Sequence, residues 1–296
     1  MKNRNKEKIG GVESDNLILK IQSSYNQLTK AEKKVADYVL NNHQQVLYMS
    51  ITDLADACEV GDTSVYRFCR TMDLQGYQEF KMKLSLSLGA ENHLKKELKS
   101  LKANGDHFTE MADMVKTINI QAIEQTRMLL NRESFSQILN MLNEAKNIYF
   151  FGIGDSLLTA QEARNKFLRI TNKVHCVTDP HMQAMTASLV TKEDFIIIIS
   201  YSGATKDNIQ VAKLAKESGT KIACITHFQK SPLTAYSDAV LLCGSQEAPL
   251  EGGSMSAKMS QLYLIDLLFQ EYYTSNYEES KKNNESTSNA VVNKIL

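Results

Sequence analysis

Apolar residues change their period near the middle of this chain. Between Leu17 and Leu88 they recur at helical spacing, and no stretch alternates as a strand does. Thr29-Lys-Ala-Glu32 has the form of a capping box ahead of Val35, Val39 and Leu40. Ser50-Ile-Thr-Asp53 opens a second helix through Leu54 and Cys58. After a break at Glu59-Val-Gly61, Asp62 or Thr63 caps a third helix running to Met72. From Asn147 onward short apolar runs alternate with helical patterns. The expected strands are 147–152, 174–178, 195–200, 222–226 and 239–242. The expected helices are 156–171, 181–190, 207–218, 233–237 and 254–273, preceded by two more at about 107–130 and 133–144. Phe195 to Ile199, five apolar residues in a row, read as a strand covered on both faces. Such alternation builds a doubly wound parallel sheet with right-handed crossovers.

The pattern thus predicts two domains, and 296 residues suit that number. The all-α domain spans 17–90, a Lys-, Glu-, Asn- and Gly-rich linker 91–105, and the α/β domain 106–275. Residues 1–16 and 276–296 are polar enough to be expected as flexible tails. The chain's formal net charge is zero, and residues 1–100 hold only a slight basic excess, so net charge gives no case for nucleic acid. The five cysteines (58, 69, 176, 224 and 243) show no metal-ligand spacing and sit mostly in apolar runs. They read as reduced core residues of a cytoplasmic protein. The polar start is no signal peptide and no apolar run spans a membrane, so no membrane partner is expected. No metal, cofactor or catalytic residue is expected either.

Within the all-α half, the second and third helices are spaced as a helix-turn-helix. Ala55 supplies the small residue where the pair cross, and Leu54, Val60, Val65 and Phe68 are expected to be buried. Thr63, Tyr66, Arg67 and Arg70 fall off that buried set and can face a major groove of double-stranded DNA. Arg67 or Arg70 can bind guanine bidentately, while Thr63, Ser64 and Tyr66 suit phosphates or base edges. Gln75, Lys81 and Lys83 are further phosphate-contact candidates. Glu59 occupies the turn position that often holds Gly, a mildly strained choice that Gly61 nearby can relieve. A plain helical bundle with solvated arginines fits the same pattern.

The α/β half offers an anion site. Ser200-Tyr-Ser-Gly-Ala-Thr205 joins the buried strand to a helix N-terminus, where free N–H groups, the helix dipole and three hydroxyls favour a phosphate. Without Lys and without a Gly-Lys-Ser/Thr sequence, this loop suits a phosphate monoester better than a nucleotide triphosphate. Ser and Thr here would also serve as plain helix caps. A second strand-end loop, Gly152-Ile-Gly-Asp-Ser156, converges on the same switch point, with Gly154, Asp155 and Ser156 as candidates. As a dinucleotide fingerprint it is poor, because Leu157 stands where the third Gly belongs, although Asp179 mimics the ribose-binding acid that a dehydrogenase would need. Glu251 can accept sugar hydroxyls and Lys258 can meet an anion, although 247–258 reads equally as a surface loop with a capped helix. His181 lies at the carboxyl side of a strand, with no partner at metal spacing.

Taken in order, several segments resemble the RpiR/MurR family of bacterial regulators over about 17–273. They are Leu28-Thr-Lys-Ala-Glu-Lys-Lys-Val-Ala-Asp-Tyr38, Ser64-Val-Tyr-Arg-Phe-Cys-Arg70, Gly76-Tyr-Gln-Glu-Phe-Lys81, Ser200-Tyr-Ser-Gly-Ala-Thr205 and Gln261-Leu-Tyr-Leu-Ile-Asp-Leu-Leu-Phe269. The resemblance implies a helix-turn-helix domain followed by a sugar isomerase (SIS) domain that senses a phosphosugar. It implies that Ser200, Ser202 and Thr205 hold the phosphate and that Ser156 contributes from the first loop, with Tyr201 and Gly203 shaping the turn. Asp155 stands where such domains often have Ser, and Lys258 where Arg is frequent. Pro249-Leu-Glu-Gly-Gly-Ser254 resembles the subgroup linked to N-acetylmuramic acid 6-phosphate. The implied protein is a homodimer or homotetramer bound to an operator; the alternative is a SIS-type phosphosugar isomerase or lyase.

Overall fold

The computed structural model describes residues 17–88, 107–244, 254–292 and 294, which fall into two units divided at His107. The described residues of the first unit form the helices α1 (Leu17–Ser24), α2 (Lys30–Val46), α3 (Ile51–Ala57), α4 (Asp62–Thr71) and α5 (Tyr77–Ser87). Both expected capping boxes form. Thr29 N–H donates to Glu32 at 2.9 Å, Ser50 N–H donates to Asp53 at 3.0 Å, and each hydroxyl accepts in return. Val35, Val39, Leu54, Val65, Phe68, Phe80 and Leu84 form a fully buried core, with Val60 packed at its edge.

The turn between α3 and α4 departs from expectation in two ways. Glu59 itself takes the left-handed conformation, at φ +52°, and Gly61 does not relieve it, having φ −83°. Val60 N–H reaches Ala55 O (2.9 Å) and Glu59 N–H reaches Asp56 O (3.0 Å), the paired bonds of a Schellman motif. The cap of α4 is Gly61, not Asp62 or Thr63. Asp62 instead accepts a hydrogen bond from Thr52 Oγ1 at 3.0 Å, tying the two helices.

The second unit comprises α6 (His107–Met128), α7 (Arg132–Glu144), β1 (Ile148–Gly152), α8 (Asp155–Phe167), β2 (Val174–Cys176), α9 (Pro180–Ala187), β3 (Phe195–Ile199), α10 (Lys206–Glu217), β4 (Lys221–Thr226), β5 (Ala239–Leu242), α11 (Met255–Ser275) and α12 (Tyr277–Val292). The sheet is wholly parallel, in the order β2-β1-β3-β4-β5. Its period of two sorts the isoleucines of β3 to opposite faces. Ile197 and Ile199 join Phe150 and Ile225 against α7, α8 and α11, while Ile196 and Ile198 join Phe151 and Cys224 against α9 and α10. The expected helix at 233–237 is a short 3₁₀ turn, 234–236.

Residues 277–292 are helical, which corrects the expected flexible tail at 276–296. Their polar side chains do the anchoring: Asn283 Nδ2 donates to Ile170 O (2.9 Å) and Thr287 Oγ1 to Arg169 O (2.9 Å), both carbonyls that follow the end of α8. The expected tail 1–16 and linker 91–105 lie outside the described residues.

Candidate functional site

In the first unit, the amphipathic face of α4 is the candidate nucleic-acid surface. Val65, Phe68 and Cys69 point into the core, leaving Thr63, Tyr66, Arg67 and Arg70 exposed and Ser64 half-buried. The two arginines are not equivalent. Arg70 Nη1 donates back to Leu74 O (3.3 Å) and Gln75 Oε1 (3.1 Å). Arg67 makes no hydrogen bond to the described residues, so its fork of donors remains available. Behind it, Glu32 is buried and accepts from Thr71 Oγ1 (2.6 Å) and Thr29 Oγ1 (2.7 Å). Burial alone would push this carboxyl up. The bonds from Thr71 and Thr29, and the charge of Arg67, bring it below the usual carboxylate range. Glu32 thereby fastens the first turn of α2 to the last turn of α4.

Lys81, expected as a phosphate contact, is buried instead. Its Nζ donates to Met49 O at 3.2 Å and lies 5.6 Å from the Tyr77 ring centroid. Lys81 follows Phe80 and precedes Leu84 by three positions, so helical spacing puts it on the buried side of α5 with Tyr77, Phe80 and Leu84.

In the second unit, two loops meet at the carboxyl ends of β1 and β3. These are the strands at which crossovers leave toward opposite edges of the sheet. In the first loop a Cβ at Gly152 would lie 2.7 Å from Ser156 O, so only Gly lets α8 start this close to the strand end. Gly154 adopts φ +61° and sets the N-terminus of α8, where Asp155 is exposed and Ser156 half-buried. Lys258 Nζ, near the start of α11, stands 3.5 Å from Asp155 Oδ1. The structure thus joins Asp155 and Lys258, residues separated by 103 positions. Ser254 caps α11, accepting from Ala257 N–H at 3.2 Å.

The second loop is held from β4. Tyr201 O accepts from His227 N–H and Thr226 Oγ1, each at 3.0 Å, and the Tyr201 ring stacks on His227 with centroids 5.1 Å apart. Gly203 adopts φ +59°, and any Cβ there would run into the Ser231 side chain. The hydroxyls of this loop have different fates. Ser202 Oγ accepts from Ala204 N–H at 3.2 Å. Thr205 occupies the N-cap of α10, yet its side chain makes no cap hydrogen bond. Ser200 Oγ is buried without a partner. Plain capping therefore does not account for Ser200 or Thr205. What remains is a strand-to-helix loop with an unspent hydroxyl at each end, leading into a helix N-terminus, where an anion can be accepted.

Of the other candidates, His181 is almost fully exposed, 3.8 Å from Asp179, and Glu251 lies outside the described residues. Among the described residues no group of His, Cys, Asp or Glu could hold a metal ion. Burial pushes the Cys58 thiol to about 11 and those of Cys69 and Cys224 to about 12, so none is a nucleophile at neutral pH. No described helix is long and apolar enough to cross a membrane. Sequence reasoning missed Gln183, His227 and Ser231 as supports of the two loops. Only the position of His227 at a strand end hinted at such a role.

Known proteins share both halves. The model for the helix-turn-helix domain of the rpiR family matches residues 15–91, and the SIS domain model matches 141–270. An HTH-type transcriptional regulator of Haemophilus influenzae is 34% identical over 257 residues, covering 86% of this chain and 89% of that protein. The HTH-type transcriptional regulator HexR of Pseudomonas aeruginosa is 32% identical over 253 residues, with 86% and 87% covered. Among solved structures, the Vibrio vulnificus NanR protein complexed with ManNAc-6P superposes with a TM-score of 0.83 at 28% identity, over 95% of this chain and 100% of that one.

Proposed function

The chain belongs to the RpiR family of helix-turn-helix transcriptional regulators with a SIS domain, and from that premise we propose that its second unit senses an N-acetylated amino-sugar 6-phosphate. The observation that carries this reading is the pair of hydroxyls that the protein itself does not use at the two ends of the loop from β3 to α10, Ser200 and the N-cap residue Thr205. Ser200, Ser202 and Thr205 hold the phosphate, with N–H groups of the loop around Tyr201 and Gly203. Gly154 and Asp155 meet the sugar, Ser156 contributes from the first loop, Lys258 neutralises part of the anion, and Glu251 accepts a sugar hydroxyl. The ligand of the similar NanR protein, ManNAc-6P, supports the N-acetylated class, to which N-acetylmuramic acid 6-phosphate also belongs.

In the first unit Arg67 reads a base edge, while Thr63, Ser64, Tyr66 and Arg70 contact phosphates or sugar. Residues 17–90 form the operator-binding domain and 106–275, continued by α12, the effector domain. A homodimer or homotetramer in the cytoplasm presents two recognition helices to paired half-sites, and effector binding changes their spacing.

Thermal unfolding in the presence of ManNAc-6P, N-acetylmuramic acid 6-phosphate, glucosamine 6-phosphate and ribose 5-phosphate tests the effector. A ligand at 100 times its Kd stabilises by about 2.7 kcal/mol, which is readily seen. A shift from an N-acetylated sugar phosphate but not from its dephosphorylated form supports the reading. No shift from any of the four refutes it. Steady turnover of one of them would favour an isomerase or lyase instead.

A further inference from the structure

Behind the two loops lies a carboxamide with one end committed and the other unspent. Gln183, on α9, is fully buried. Its Nε2 donates to Gly152 O at 3.0 Å and to Val177 O at 2.7 Å. Only the NH₂ end of an amide can face two carbonyl oxygens, so the chemistry fixes the orientation of the group. Both amide hydrogens are consumed, and Oε1 is buried without a donor. Gly152 is the last residue of β1 and pairs with Ile199, so the clamp acts one residue before Ser200 on the neighbouring strand. Ser200 Oγ and Asn208 Oδ1, the latter in the first turn of α10, are likewise buried and unpartnered. Helices α9 and α10 pack against each other, and Gln183 and Asn208 stand one on each. Unmatched buried polar atoms are costly and rare, so each calls for an explanation.

Gln183 acts on one loop and not on the other. It grips the carbonyl from which Gly152-Ile153-Gly154 departs, and hence the position of the α8 N-terminus with Asp155 and Ser156. The second loop is fastened separately, by Thr226 and His227 from β4. We infer that Gln183 is a positioning residue that holds the first loop as the sugar-reading half of the effector site, independently of the phosphate-holding half. This inference rests on the effector reading above and adds that sugar selectivity has its own support beneath the sheet end.

The test compares full-length wild type with Gln183→Met, which keeps the volume but donates no hydrogen bond. ManNAc-6P and inorganic phosphate serve as probes, with affinities from titration calorimetry or thermal shift. The expected result is roughly tenfold or greater loss of ManNAc-6P affinity, with inorganic phosphate affinity within about twofold of wild type. Equal loss for both probes would make Gln183 a general structural residue and overturn the inference. So would unchanged binding of both. If Gln183→Met does not fold, the same comparison is read on Gln183→Asn, which retracts the carboxamide by one methylene. Wild type that binds inorganic phosphate but gains nothing from the sugar overturns the effector reading itself, and this inference with it.

Discussion

At the scale of single residues, the two arginines of α4 are the sharpest contrast. Arg67 has its guanidinium uncommitted, whereas Arg70 is drawn back to Leu74 O and Gln75. Arg67→Ala should cost roughly 1–3 kcal/mol of operator affinity and relax preference at one base pair. Arg70→Ala should weaken binding less, and evenly across sequences. Fluorescence anisotropy on operator variants distinguishes the two, and equal, sequence-independent losses would remove Arg67 from base readout. Gly203 is constrained twice, by φ +59° and by the Ser231 side chain. Gly203→Ala should therefore abolish the effector-induced thermal shift and cost about 1–3 kcal/mol of stability, while operator binding persists. Lys81 is held down to about 8 because burial penalises its charge. Below pH 8 both folded and unfolded chains carry the proton and the cost of burial is present in full. Between pH 8 and the unfolded value near 10.5 the unfolded chain binds more protons, so stability rises with pH. Urea unfolding should show that rise from pH 7.5 to 9.5 in wild type and not in Lys81→Met. The variant should also be at least as stable at pH 7, since Tyr77 OH still donates to Met49 O at 3.1 Å.

At the scale of elements, the turn between α3 and α4 spends stability on an unusual residue. A left-handed non-glycine costs about 1 kcal/mol, and the exposed Lys34–Glu59 pair at 3.2 Å returns little of it. Glu59→Gly should raise the urea midpoint of the first unit, by up to about 1 kcal/mol in stability. A drop would mean that the ion pair matters more than the backbone. This turn also shows what the sequence made legible. The Schellman position was visible as a residue out of place, but not that Gly61 would leave the strain with Glu59. The strands were legible because buried β residues are apolar in unbroken runs, as in Phe195 to Ile199. Helix α12 was not legible, because it docks through Asn283 and Thr287 onto free carbonyls, and such docking leaves no apolar period to read. Lys81 was misplaced for the converse reason, since a lysine in a polar-looking helix carries no mark of burial. In the candidate effector site, the loops and their hydroxyls could be read as motifs. Their fastening could not, because Gln183, His227 and Ser231 are brought there by tertiary packing.

At the scale of the whole molecule, three carboxylates share one design. Glu32, Asp194 and Asp238 are all largely removed from water, which alone would raise them. Each is nonetheless brought below the usual carboxylate range by the donors around it: Thr71 and Thr29, Asn147 and Thr191, and Lys216 with the Ile222 N–H, respectively. A depressed folded value means that their stabilisation is complete above the ordinary carboxylate range near 4 and is lost as pH falls through the folded values. One of the three lies in the first unit and two in the second, so both units should lose stability together in acid. Circular dichroism melts should show Tm steady from pH 7 to about 5 and falling steeply below about 4. A decline already under way at pH 6 would point to other groups. The central strand has a different significance. Phe195 to Ile199 is sealed on both faces and anchored to β1 and β4 along its whole length. The chain that leaves it at Ser200 starts from a point that loop substitutions leave unmoved. On the reading proposed above, substitutions among the next six residues, Gly203 apart, can accordingly alter the grip on the phosphate while the strand beneath stays in place. A descendant of this protein can tighten or loosen its hold on a metabolite's charged end while inheriting its architecture intact.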